Sequence, residues 1–178
     1  MQNPGLVLSL NLSAPSIADE SLVEFILQMF AKTVVEPHQI CFEIAETTLS
    51  HDLANASRTI QRLQEAGCSF ALDNFGSGLA SFTALKELKV DFVKIDGNLI
   101  RDICSDELDF AMVESINSMA HLLDIKTIAE SVDGEASIEK LKSIGIDYAQ
   151  GYYLGNLVKL DDLDSVSQDY NSSLIQVN

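Results

Sequence analysis

The stretch Phe70-Ala71-Leu72-Asp73-Asn74-Phe75-Gly76-Ser77-Gly78 decides how this chain reads. A short apolar run delivers two adjacent polar side chains and then breaks into a loop with two glycines. Apolar runs of this kind are strands covered on both faces. A carboxylate at the end of such a strand is costly unless something there neutralises it. The Asp73-Asn74 pair therefore reads as half of a metal site. Its Asn74 is an amide, a weaker ligand for a hard cation than a second carboxylate.

Working outward, short apolar runs alternate with longer amphipathic ones. Candidate strands are Leu6–Leu12, Ile40–Glu46, Ser69–Asn74, Phe92–Asp96, Lys126–Ser131 and Tyr148–Tyr152. Between them, apolar residues recur at three- and four-residue steps: Leu22, Phe25, Ile26, Met29, Phe30; Leu53, Ala56, Ile60, Leu63; and Leu108, Met112, Ile116, Met119, Leu123. Gly67 and Gly145 each follow a helical run and precede a strand, where a helix stop belongs. Strict βα alternation implies parallel strands with right-handed crossovers. Both a doubly wound open sheet and a (β/α) barrel have this order. The first strand is followed by no Gly-x-Gly-x-x-Gly and no Walker loop, which counts against the nucleotide-binding open sheets.

Polar residues fall near the C-terminal end of each candidate strand: Asn11, Glu43 with Glu46, Asp73 with Asn74, Lys94 with Asp96, Glu130, and Gln150. In parallel α/β folds those ends share one face, where active sites lie. One such acid is usually a paired structural residue. Six strands that all carry polar ends point instead to a shared partner, most simply metal ions. Oxygen donors without a His or Cys cluster suit Mg²⁺ or Mn²⁺ rather than zinc. A bridging carboxylate with flanking ligands suits two metals about 3.5–4 Å apart, the arrangement used on phosphodiesters. Lys94 reads either as a group that steadies charge developing on a phosphate or as a salt-bridge partner of Asp96 or Glu130. The two roles are compatible.

Composition sets the outer limits. The 178 residues fit one domain with a sizeable core, and 47% hydrophobic with 21% charged is ordinary for a globular protein. A net charge of −16 argues against nucleic acid polymers and anionic membranes as partners. No stretch approaches the roughly 18 apolar residues of a membrane span. No basic region precedes Leu6–Leu12, so a signal peptide is not expected. Cys41, Cys68 and Cys104 lack paired spacing and read as free thiols of a reducing, cytoplasmic compartment.

Taken in order, these segments resemble the EAL-type cyclic di-GMP phosphodiesterases. Asn11-Leu12-Ser13 is similar to the family's Asn-Leu-Ser, and Glu43-Ile44-Ala45-Glu46 to its Glu-Ile-Thr-Glu. Asp73-Asn74-Phe75-Gly76-Ser77-Gly78 resembles Asp-Asp-Phe-Gly-Thr-Gly. Lys94-Ile95-Asp96 matches Lys-Ile-Asp, Ala129-Glu130-Ser131-Val132-Asp133 resembles Ala-Glu-Gly-Val-Glu, and Gln150-Gly151-Tyr152 matches Gln-Gly-Tyr. The resemblance implies an α/β fold, an incomplete TIM-type (β/α) barrel of about six parallel βα units. It implies hydrolysis of cyclic di-GMP to the linear dinucleotide with Mg²⁺ or Mn²⁺. Asn11, Glu43, Asp73 and Asn74 would fall at the metal positions, with Asp73 bridging. Lys94, Glu130 and Asp96 would be catalytic, and Gln150 and Asp133 would lie by the substrate. Glu46, Phe75, Gly76, Ser77 and Gly78 would couple the site to a dimer interface. Residues 1–166 would form the partial domain and 167–178 a polar tail.

Three features depart from the pattern. A full TIM barrel runs to about 250 residues, and no Glu-Ala-Leu signature occurs in this sequence. That implies a domain lacking its first two strands, with open edges buried by homo-oligomerisation. Asn74 stands where the family has Asp, and Ser131 where it has Gly. The expected function is thus a cyclic di-GMP phosphodiesterase-like domain impaired in hydrolysis. The alternatives are a degenerate nucleotide-binding or protein-interaction domain without turnover, and a remnant without independent function.

Overall fold

The computed structural model describes residues 6–50, 53–77, 82–155 and 175–177. The chain divides into two compact units, residues 1–92 and 93–178.

In the first unit, β1 (Leu8–Leu12), β2 (Ile40–Ala45) and β3 (Ser69–Phe75) are parallel and adjacent in that order. Helices α1 (Ala14–Ala18), α2 (Ser21–Lys32), α3 (Leu53–Glu65) and α4 (Phe82–Leu88) connect or follow them. Ser13 caps α1 by accepting from the Ser16 N–H, and Pro15 adds a fixed φ in its first turn. The side chains of β2 are buried almost throughout and those of β3 along its apolar run of Phe70, Ala71 and Leu72 and at Phe75, as continuous apolar runs require. Phe42 and Phe70, register partners on these strands, pack with ring centroids 5.4 Å apart. Helix α3 buries Ala56, Ile60 and Leu63, the face its spacing marks out, and Thr59 Oγ1 donates to the Ile17 carbonyl at 3.2 Å.

The second unit carries β4 (Phe92–Ile95), α5 (Gly97–Arg101), α6 (Glu107–Leu122), β5 (Lys126–Ala129), α7 (Glu135–Ile144), β6 (Tyr148–Ala149) and a last strand, β7 (Ile175–Gln176). β5 and β6 are parallel, and β7 runs antiparallel along β6. Val93, Ile95, Ile100, Val113, Leu141 and Ile146 are fully buried between strands and helices. Gly145 ends α7 in the left-handed region at φ 85°, and Gly67 ends the α3 run at φ 106°, so both helix stops stand as read. The βα order and parallel pairing give the expected α/β class, a TIM-type arrangement with fewer than eight βα units among the described residues.

The structure differs from the sequence reading in three places. Several strands stop short of their polar C-terminal residues, because those residues enter turns and caps: Asp96 caps α5, and Ser131 turns the chain at φ 58°. Helix α6 carries two apolar stripes, and spacing alone does not choose between them. It buries Val113, Ile116 and Ala120 while Leu108 and Leu122 are exposed. The third difference lies in 167–178, read as a polar tail: Ile175–Gln176 pairs with β6, so β6 is not the bare edge expected of it. The domain boundary at residue 166 and Gly78 lie outside the described residues.

Candidate active site

The first unit sets three oxygen ligands by register. Asn11 lies opposite Glu43, Glu43 opposite Ala71, and Ala45 opposite Asp73. Register partners on parallel strands share a face, and residues two apart on one strand share it too. Asn11, Glu43 and Asp73 therefore project from one side of this sheet. Glu43 is buried, Asp73 is half-buried and Asn11 is exposed.

Asn74 leaves the extended backbone of the strand. It sits at φ 55°, a left-handed conformation that asparagine tolerates better than most side chains. From there its Nδ2 donates to Asp73 Oδ2 at 2.8 Å. Oδ1 of Asp73 is buried. The Asn74 carbonyl accepts from the Ser77 N–H at 3.3 Å and Ser77 Oγ at 2.8 Å, which closes the turn. Phe75 is buried under it, and the Gly76 N–H donates to Glu46 Oε2 at 3.1 Å. The described members of the expected coupling group, Glu46 and Phe75 to Ser77, are thus brought together.

The second unit gathers the other expected residues. Lys94 Nζ lies 2.8 Å from Glu130 Oε1, with side chains 7% and 19% exposed. At that burial, the ion pair is held out of bulk water. Asp96 Oδ1 accepts from the Asn98 N–H at 2.8 Å and so caps α5. Gln150 is placed through its backbone: its N–H donates to Ala129, and its carbonyl accepts from Val132. Asp133 is exposed beside the start of α7, its Oδ1 3.4 Å from Ser137 Oγ.

Two glycines, Gly151 inside one motif and Gly97 directly after another, fix this turn. A Cβ on Gly151 would come within 2.2 Å of the Val132 carbonyl oxygen, and one on Gly97 within 2.3 Å of Ser131 Oγ. The chain from Glu130 to Val132 is threaded between them, with Ser131 left-handed at the crossing. The sequence signal was there, since Gly97 follows Asp96 and Gly151 follows Gln150, but the close approach shows only in three dimensions. A partly buried network was missed altogether. Asp147 Oδ2 accepts from the Thr127 N–H at 2.9 Å and Thr127 Oγ1 at 3.1 Å and lies 2.8 Å from His121 Nε2, while Thr127 Oγ1 is 2.6 Å from Asn117 Oδ1. Burial opposes ionisation of Asp147. The Thr127 N–H and His121 outweigh it, so the carboxyl lies below its ordinary value.

As a cation site, the first unit's donor set has the right chemistry: two carboxylates and an amide oxygen from one sheet face suit a hard cation. Among the described residues no three His, Cys, Asp or Glu side chains cluster as a closed metal centre. Asn11, Glu43 and Asp73 are the residues that would hold such an ion.

The EAL domain model matches residues 1–156. The chain belongs to the EAL domain family. Among curated relatives it is similar to the cyclic di-GMP phosphodiesterase PdeB of Shewanella oneidensis, 38% identical over 95% of this chain, and PdeF of Escherichia coli, 39% identical over 86%. It spans about a fifth of their length, 19% and 21%. Among solved structures, it resembles the PaMucR phosphodiesterase in complex with c-di-GMP (TM-score 0.82, 30% identity, 88% of this chain and 64% of that one). It also resembles the EAL domain of Mycobacterium smegmatis DcpA (TM-score 0.84, 26% identity, 90% and 72%). Among the described residues no helix is long and apolar enough to cross a membrane.

Proposed function

We propose that this EAL domain recognises cyclic di-GMP through a divalent cation, Mg²⁺ or Mn²⁺, and hydrolyses it weakly. One observation carries the reading: Asn74 Nδ2 donates to Asp73 Oδ2 at 2.8 Å. Where a second carboxylate would draw in another cation, this chain supplies its own hydrogen-bond donor to the central acid. Asn11, Glu43 and Asp73 would hold the cation. Bound there, it would withdraw charge from a phosphate oxygen and acidify water.

The remaining roles follow from side-chain chemistry. Lys94 orients Glu130, whose carboxylate takes up a proton from water, and the Lys94 ammonium steadies charge on the phosphate. Asp96 fixes the start of α5 next to Lys94. Gln150 and Asp133 contact the nucleotide. The bond from Gly76 to Glu46 ties the turn after Asp73 to the end of β2, which makes 75–77 the segment that reports on the site. β1 ends its sheet with Leu10 47% exposed, and a second copy would bury that edge.

The test follows the linear product of cyclic di-GMP in Mn²⁺ for wild type, Asn74→Asp and Asp73→Ala, with binding measured in Ca²⁺. Cation-dependent binding with slow turnover, raised by Asn74→Asp and lost in Asp73→Ala, supports the reading. Turnover in wild type equal to that of Asn74→Asp overturns it. Binding that survives in chelator favours the interaction domain without metal chemistry.

A further inference from the structure

We infer that the outer edge of β6 is a strand-docking site, and that the chain's own C-terminal segment fills it and so keeps a second copy from pairing there. β6 has two edges. One is taken by β5, through the partners Ile128↔Tyr148 and Ala129↔Ala149. Along the other lies β7, antiparallel, through Tyr148↔Gln176 and Ala149↔Ile175. The contact continues one residue further, where the Val177 N–H donates to the Asp147 carbonyl at 2.9 Å and the Val177 side chain is buried at 8% exposure.

The direction of β7 matters. Strands joined by helical crossovers run parallel, as β1 to β3 do in the first unit and β5 and β6 do here. An antiparallel strand of two residues beyond α7 and β6 is an added piece, held among the described residues by backbone hydrogen bonds and the buried Val177 side chain. That is the form of strand addition to an open edge. The acceptor is rigid. The Asp147 carboxylate is held by Thr127 and His121, so its backbone carbonyl is fixed where Val177 meets it. The donor is weak, because a strand this short makes few bonds. An edge guarded by so short a strand is exposed whenever the guard leaves, and an exposed edge pairs with another edge.

The occupant that replaces the guard is a second copy of this chain, which presents the same edge. Backbone pairing at this edge does not depend on the proposed reaction.

The test uses the full chain with Val177→Asp, which buries a charge at the anchor, and separately with Ile175→Pro, which removes a backbone donor. Mass is read by light scattering after size exclusion, and folding by circular dichroism. Both variants are expected to keep the wild-type spectrum and to shift to twice the wild-type mass. A synthetic peptide of sequence Ser173–Asn178, added in excess, should return that mass to the wild-type value, and the same peptide carrying Asp in place of valine should not. Unchanged mass in both variants overturns the inference. So does a mass increase that the peptide fails to reverse, since that would be misfolding and not an open edge.

Discussion

Replacing Asn74 by aspartate removes a donor and adds a charge beside Asp73. In the present structure the amide donates to Asp73 Oδ2 at 2.8 Å. A hydrogen bond to a carboxylate contributes about 1.5–3 kcal/mol, and exposure of Asn74 puts this one at the lower end. Two carboxylates about 3 Å apart repel by roughly 1.4 kcal/mol even at the dielectric of water. Rotation of the new carboxylate away from Asp73 relieves part of that. The net cost in chelator is about 2 kcal/mol, or a melting temperature lowered by about 4–8 °C for a chain of this size. A divalent cation reverses the sign of the interaction. Mn²⁺ at about a hundred times its dissociation constant returns about 2.7 kcal/mol. The assay is a thermal melt of wild type and Asn74→Asp in EDTA and in rising Mn²⁺. Wild type should respond weakly to the ion, and the variant should start lower and climb past it. A variant that melts within about 1 °C of wild type in EDTA would refute the idea that Asn74 does a cation's work.

Three further outcomes test other parts of the structure. Lys94→Met leaves Glu130 in a mostly buried place without its ammonium, and urea unfolding should show a loss of about 3 kcal/mol, largely restored in Lys94→Met/Glu130→Gln. Gly151→Ala drives a methyl into the Val132 carbonyl, a contact with backbone that no rotamer relieves; it should cost about 3 kcal/mol or more by the same measurement, against under about 1 kcal/mol for Gly134→Ala, where an added Cβ meets nothing within 4 Å. Asp147→Asn should cost about 1–2 kcal/mol near neutral pH, as charge-assisted hydrogen bonds become neutral ones. Because the folded-state carboxyl is held below its unfolded value near 3.9, that advantage is present above about pH 4 and fades as pH falls through the lower folded value. A difference between the two proteins that stays constant from pH 7 to about pH 3 would contradict it.

Much of the fold was legible because its strands are apolar runs closed by glycine stops, a pattern that survives in one dimension. The order of βα units follows from that alternation, and the register that aligns Asn11, Glu43 and Asp73 follows from parallel pairing. The exposed stripe of α6 was not legible, since Leu108 and Met112 recur at the same helical spacing as Val113 and Ile116. Nor was β7, because Ile175–Gln176 is too short to show alternation and owes its strand to the edge it meets. At the site, the Lys94–Glu130 pair was one of two partners the sequence allowed, and geometry chose it. The left-handed turns at Asn74 and Ser131 left no signal beyond residue types that depart from the family's pattern, and the Asp147 network draws on four positions with no common motif.

The most direct measurement is a calorimetric titration of cyclic di-GMP into the wild-type chain, once in Ca²⁺ and once in EDTA, with Asp73→Ala beside it. Heat of binding in Ca²⁺ that vanishes in EDTA and in Asp73→Ala is the predicted result. Equal binding in EDTA, or none in either buffer, would contradict a cation-mediated cyclic di-GMP site at Asp73.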